Sequence, residues 1–221
     1  MRCHGNVYIF FTVRRINIIM VINMLWKVIA VIAAYLIGSI NNAIIICKFK
    51  NVDIKSVGSG NAGATNTVRA LGKKYGIAVF FLDFLKGVIS VLVGNFFQVG
   101  FYCAIASVIG HVFPIYFGFK GGKGVSTAFG ALALCDVRIA LILGAVVLIL
   151  ILTVKIVSLS VLICYFLLPF LVLTLNGFVV NEFFYISILL SLIIYFTHRE
   201  NIKRLLSGTE NKFGNKKNQE E

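Results

Sequence analysis

The chain has 221 residues, of which 59% are hydrophobic and only 13% charged, with a net charge of +13 from 21 Lys and Arg against 8 Asp and Glu. Its mean hydropathy is +0.96, which excludes an ordinary soluble domain and leaves length for about six to eight membrane spans and no separate soluble unit. The basic residues lie in short loops between apolar runs, so the charge reads as loop topology and anion binding, with no nucleic acid among the expected partners.

Residues 1–23, "MRCHGNVYIFFTVRRINIIMVIN", carry short apolar pieces interrupted by Arg14 and Arg15. They read as an N-terminal extension, neither a clean signal peptide nor a span. Met24 is followed at once by a span expected over Leu25–Cys47. A polar segment from Lys48 to Tyr75 with six Lys/Arg comes next, then apolar runs at Gly76–Phe96 and Val99–Phe119. After the Gly/Lys hexapeptide, apolar sequence resumes from Val125 and runs to Leu175, with breaks at Asp136–Arg138 and Lys155–Ser160. The last span is expected at Phe183–Thr197, followed by a charged tail, 199–221.

The piece Val125–Cys135 is half a span long at about 1.5 Å per residue. Counting it gives seven spans and places 48–75, the Gly/Lys loop, Lys155 and the basic tail on one side. Omitting it gives six and sends Arg199, Lys203, Arg204, Lys212, Lys216 and Lys217 to the other. The positive-inside bias favours seven, with the N-terminus outside. The expected fold is thus an all-α integral membrane protein of about seven helices, one short, with glycine-rich loops on the cytoplasmic face over a membrane domain 24–198. The five cysteines, Cys3, Cys47, Cys103, Cys135 and Cys164, are scattered and odd in number. They read as small buried hydrophobes, and no metal-ligand cluster or cofactor is indicated.

Three polar segments carry the candidate chemistry. "VGSGNAGATNTVRALGKKYG" spans 57–76. Gly58, Gly60 and Gly63 match a dinucleotide-binding spacing, but no buried strand precedes them and Asp83 falls within an apolar span, so a Rossmann reading fails. Glycines here let backbone N–H groups approach an anion ahead of a helix start that Thr65 and Asn66 cap or line. Arg69, on the helix's first turns, can pair with a phosphate. The plain alternative is an interhelical loop with Ser59, Asn61 and Asn66 as turn formers.

The second segment, "GHVFPIYFGFKGGKGVSTAFG" at 110–130, is not a Walker loop, since Phe117 and Gly124 stand where Gly and Ser/Thr are needed. Lys120 and Lys123 on a glycine frame (Gly121, Gly122) can nevertheless neutralise a phosphate. His111 reads as a structural or a catalytic histidine. The third segment is "THRENIKRLLSGTENKFG", 197–214. His198 and Asn201 share a face if the last span continues as helix, with Glu200 and Glu210 solvated. Asp83 and Lys86, three apart in "AVFFLDFLKGVISV", read as a buried ion pair or a cavity lining.

Together, "GSGNAGATNTVRALG", "DFLKG", "GHVFPIYFGFKGGKGVSTAFG" and "HRENIKRLLSGTE" resemble the bacterial acyl-phosphate–glycerol-3-phosphate acyltransferases, the PlsY family, over Met24 to Asn211. The resemblance implies seven spans, an outside N-terminus and motif loops on the cytoplasmic face of the inner membrane. It implies transfer of a fatty acyl group from acyl phosphate to glycerol 3-phosphate, giving lysophosphatidate, with no cofactor. Its site residues would be Ser39, His198 and Asn201 in catalysis. Ser59, Gly60, Asn61, Asn66, Arg69, Lys120, Gly121, Gly122 and Lys123 would hold substrate and phosphate. The first span departs from the family's "GSIPFG": it reads "GSINNA", with Asn41, Asn42 and Ala43 in place of Pro, Phe and Gly. The H-x-x-x-x-D pattern of other glycerolipid acyltransferases is absent, because Ile9, Tyr116 and Lys203 follow the three histidines at that spacing. A rival reading is a small transporter of an anionic or phosphorylated solute, which intramembrane charge and glycine-rich loops also suit.

Overall fold

A computed structural model describes the backbone of residues 3–212 and the side chains of 20–212. The side chains of Cys3, Arg14 and Arg15, and the tail lysines Lys216 and Lys217, lie outside the described residues. Ten α-helices and one 3-10 turn are described: α1 (Cys3–Ser39), α2 (Asn42–Phe49), α3 (Ala64–Leu71), α4 (Lys73–Phe96), α5 (Gly100–Val112), the turn at Ile115–Phe117, α6 (Val125–Cys135), α7 (Val137–Val154), α8 (Val157–Leu175), α9 (Glu182–Thr197) and α10 (Arg199–Leu206).

Five helical stretches are long and apolar enough to cross a bilayer, and α9 with α10 makes a sixth if taken as one bent span. The short α6 is the seventh apolar helix and matches the half-span read from the sequence. Both expected breaks are present. Asp136 caps α7 by accepting from the Arg138 N–H at 3.0 Å. Lys155 ends that helix in the left-handed region at φ 59°.

The helices meet through small residues. A methyl at Gly87 would lie 2.1 Å from the Thr127 carbonyl oxygen, and one at Gly130 2.0 Å from that of Phe84, so α4 and α6 touch backbone to backbone. Gly110 meets the Tyr35 carbonyl in the same way at 2.2 Å, joining α5 to α1. Lipid provides no hydrophobic drive between spans, so close van der Waals approach must hold the bundle. Large apolar side chains such as Leu141, Leu152 and Phe196 point outward, as a lipid-facing belt requires.

Two expectations about the spans are corrected. The first span does not run unbroken to Cys47: α1 ends at Ser39 and α2 starts at Asn42. The Lys86 ammonium donates to the carbonyls of Gly38 (3.0 Å) and Ile40 (2.8 Å), satisfying acceptors that the break exposes. Asn41 caps α2 by accepting from the Ile44 N–H at 3.0 Å, and also donates to the Ala62 carbonyl. Asn41, one of the two asparagines that depart from the family pattern, therefore stabilises the interruption. In the third run the α-helix stops at Val112 rather than Phe119, and Pro114 and the 3-10 turn carry that stretch on to Phe117.

Candidate functional site

The three polar segments converge on one cavity of about 570 Å³. Ser59, Asn61, Asn66 and Arg69 line it from the first segment, Lys123 from the second, and His198 and Asn201 from the third. This shared chamber puts all three segments on one face of the bundle, as the charge-parity argument requires.

Each side chain is held by local chemistry. Gly124, at φ 83°, turns the chain into α6, whose first residues Val125 and Ser126 also line the cavity. The unpaired N–H groups of that helix start favour an anion. The Lys123 ammonium donates to Asn201 Oδ1, and Asn201 Nδ2 donates to Glu210 at 2.7 Å. Thr197 Oγ1 donates to the Lys123 carbonyl at 3.0 Å, tying the loop to the end of α9. Burial is the main cause that lowers the Lys123 ammonium to about 8, and Glu210 opposes it. At neutral pH the group stays mostly charged and is poised for an anion.

His198 is where α9 ends and the chain bends by 63° into α10. Its Nδ1 lies 2.8 Å from the Ile194 carbonyl, which can only accept, so Nδ1 carries the proton and Nε2 is left as an acceptor. Burial first, then the Lys123 charge, pushes His198 down to about 4, so the ring is neutral at pH 7.

The glycines act differently from the sequence-based expectation. Gly121 and Gly122 do not line the cavity; their N–H groups donate to the carbonyls of Val112 and His111, each at 3.1 Å. A methyl at Gly122 would sit 2.2 Å from His111 Nε2 and 2.6 Å from the Ala62 carbonyl oxygen. These residues clamp the loop onto α5, and Lys123 follows directly. Lys120 is exposed and outside the cavity lining, as is Gly60. Ser39 is fully buried away from the cavity, and its hydroxyl donates back to the Tyr35 carbonyl at 2.9 Å.

Two further placements, of Arg69 and Glu210, correct the sequence reading, and that of Asn66 fits the turn-former alternative. Arg69 lies in the last turn of α3, not its first. Asn66 is buried and accepts from the Ser59 N–H (3.0 Å) while donating to the Ile54 and Val57 carbonyls, so it shapes the glycine loop. Glu210 is not solvated: its side chain is 7% exposed. It accepts from Arg204 Nε at 2.8 Å and from Ser158 Oγ at 3.0 Å. Desolvation pulls its carboxyl up, but the bonds from Asn201, Arg204 and Ser158 outweigh this and hold it below the ordinary range.

The continuation of α9 in a straight line, assumed from the i, i+3 spacing, is replaced by the bend at His198. His198 and Asn201 nevertheless reach the same chamber. Sequence reasoning did not single out Arg204, which lines the cavity with them; its i, i+3 relation to Asn201 was the available signal. Asp83 and His111 also reach the cavity. Asp83 pairs with Lys86 at 3.1 Å and accepts from Asn42 Nδ2 at 2.9 Å, so the ion pair is made, and Asp83 alone of the two lines the cavity.

The glycerol-3-phosphate acyltransferase family model matches residues 28–208. The glycerol-3-phosphate acyltransferase of Aquifex aeolicus is 49% identical over 83% of this chain and 97% of its own length. That of Halalkalibacterium halodurans is 44% identical over 85% and 95%. The chain belongs to the glycerol-3-phosphate acyltransferase family. The crystal structure of PlsY, an integral membrane glycerol 3-phosphate acyltransferase, in its glycerol 3-phosphate form superposes with a TM-score of 0.79. Identity there is 46%, covering 85% of this chain and 96% of that one. The lysophosphatidic acid form of the same enzyme gives 0.77. Membership decides for the acyltransferase and against the transporter. An acyltransferase of this family joins a hydrophilic phosphate to a fatty chain, and the cavity is built in two corresponding parts: the polar chamber just described and an apolar arm between α6, α7 and α8.

Proposed function

We propose that this cavity takes glycerol 3-phosphate and a fatty acyl phosphate, and that it lies at the cytoplasmic face of a bacterial inner membrane. The observation that carries the reading is continuity. A chamber with Arg69, Lys123, Arg204 and the start of α6 opens directly into an apolar arm. Arginine and lysine hold phosphate oxygens, while the arm holds a hydrocarbon chain beside the lipid.

In the step itself a glycerol hydroxyl oxygen attacks the acyl carbonyl carbon, the carbon–oxygen bond to phosphate breaks, and inorganic phosphate leaves. Acyl phosphate is a mixed anhydride with a good leaving group, so the protein's main work is to orient the hydroxyl and offset charge on the departing phosphate. Lys123 and Arg69 meet that charge. His198 Nε2 accepts from and aligns the hydroxyl. The hydroxyl proton ends on the departing phosphate, and His198 Nε2 is the acceptor on the protein that holds it in line on the way.

The test is lysophosphatidate formation by purified protein from palmitoyl phosphate and glycerol 3-phosphate, in detergent, with no gradient. Turnover is expected in the parent, reduced in His198→Ala without loss of membrane insertion. A parent that makes no lysophosphatidate, or a His198→Ala variant at the parent rate, would overturn the assignment.

A further inference from the structure

The two ring nitrogens of His111 are not accounted for alike. The ring, on α5, is 3% exposed and lines the cavity. Its Nδ1 lies 2.8 Å from Lys86 Nζ. Lys86 pairs with Asp83 and donates to the carbonyls of Gly38 and Ile40, so it is an ammonium, which can only donate. Nδ1 is therefore an acceptor, and the ring proton sits on Nε2. Among the described residues no hydrogen bond uses that Nε2–H. Buried polar groups almost always have a partner. A purely structural histidine explains Nδ1 but not an N–H left over in the wall of a substrate cavity.

The position of Nε2 narrows what the partner is. It packs on Gly122, where an added methyl would come within 2.2 Å of it, and Lys123 is the next residue. The Lys123 ammonium reaches the other way, to Asn201, and the Lys123 carbonyl accepts from Thr197, beside His198. Two imidazoles of opposite polarity thus flank Lys123: His198 Nε2 accepts and His111 Nε2 donates. Acyl transfer needs both. The attacking hydroxyl needs an acceptor, and the acyl carbonyl oxygen, which gains negative charge, needs a donor. With phosphate on Arg69, Lys123 and Arg204, the carbonyl oxygen is the reacting atom still without a partner.

We infer that His111 is a catalytic residue whose Nε2–H donates to the acyl carbonyl oxygen and stabilises the oxyanion formed there. The inference rests on the acyl phosphate reading above. As the glycerol oxygen bonds to the acyl carbon, the carbonyl electron pair moves onto that oxygen, against His111. The pair returns as the bond to phosphate breaks, and His111 keeps its proton throughout. A neutral imidazole can polarise a carbonyl in this way. The Lys86 charge behind Nδ1 draws electron density from the ring and strengthens the donor, and Asp83 holds Lys86 in place.

The experiment contrasts two amides at one position. In His111→Asn the amide falls near the place of Nδ1, so an acceptor for Lys86 remains and the donor to the cavity is lost. In His111→Gln the amide falls near the place of Nε2, so a donor to the cavity remains and the Lys86 acceptor is lost. Rates are measured with palmitoyl phosphate and glycerol 3-phosphate. His111→Asn is expected to lower kcat by about 100- to 1,000-fold, the loss found on removing one oxyanion donor, with both KM values within about threefold of the parent's. His111→Gln is expected to keep a kcat about tenfold or more above that of His111→Asn. A structural role predicts the reverse order. Parental kcat in His111→Asn, a loss confined to KM, or His111→Asn equal to or faster than His111→Gln overturns the inference. If either variant fails to fold, the parent decides. The ester carbonyl stretch of isotope-labelled lysophosphatidate bound in the cavity is expected at lower frequency than in detergent alone, and an unshifted band overturns the inference. A parent that makes no lysophosphatidate refutes the proposed function instead, so the two failures are distinguishable.

Discussion

Gly122→Ala separates two meanings of the glycine-rich loop. If the glycines supply flexibility for substrate, one methyl at a position outside the cavity lining is tolerated. The structure argues otherwise: the new carbon would stand 2.2 Å from His111 Nε2 and 2.6 Å from the Ala62 carbonyl oxygen. Neither neighbour can retreat freely. The Ala62 carbonyl already accepts from Asn41, and His111 Nδ1 lies 2.8 Å from the buried Lys86 ammonium. The loop itself must move. Overpacking of this kind costs about 1–3 kcal/mol. The lost Gly122 N–H bond to His111 adds about 0.5–1.5 kcal/mol. Lys123 is the next residue, and a shift of about 1 Å at a reacting group can cost about 100-fold in rate. Gly122→Ala should therefore lower kcat/KM for lysophosphatidate formation by about 100-fold, with an earlier thermal unfolding midpoint. Gly118→Ala is the control. Nothing lies within 4 Å of its added methyl, although its φ of +62° imposes backbone strain. It should cost about 1–2 kcal/mol of stability and leave the kinetics near the parent's. Parent-like kcat/KM in Gly122→Ala would refute the clamp.

Four other outcomes follow from the same structure. Lys123→Ala removes a charge-assisted contact of about 1.5–3 kcal/mol, so efficiency should drop by about 10- to 150-fold; an equal rate would remove Lys123 from the site. Because the Lys123 ammonium titrates at about 8, its charge is lost as pH rises through that value. Glycerol 3-phosphate affinity should then weaken above pH of about 8 in the parent and hold in Lys123→Arg, whose guanidinium stays charged. Asn42→Leu strips the Asp83 carboxylate of one donor at a cost of about 1–3 kcal/mol, read as a lower unfolding midpoint in detergent; an unchanged midpoint would mean that the bond is not made. Finally, a chain starting at Met24 should insert and retain full activity, since the motif residues all lie beyond it, and loss of activity on that truncation alone would count against the reading of residues 1–23 as dispensable.

Hydropathy and charge are properties of short windows, so the sequence alone determined the apolar helices, the half-length α6, the breaks at Asp136 and Lys155 and the common face of the three polar segments. The motif order was also sufficient for the family. What each motif residue does was decided by contacts between residues far apart in the chain. Gly121 and Gly122 look like a phosphate frame until α5 is seen pressed against them. Ser39 and Lys120 resemble site residues by motif, but one is turned into a helix end and the other faces out. Glu210 looks solvated in a charged tail, yet lies in the chamber because Ser158, Asn201 and Arg204 reach it from two other helices. The two asparagines at 41 and 42 read as a departure in sequence, and only the positions of Ile44, Ala62 and Asp83 show what they bond.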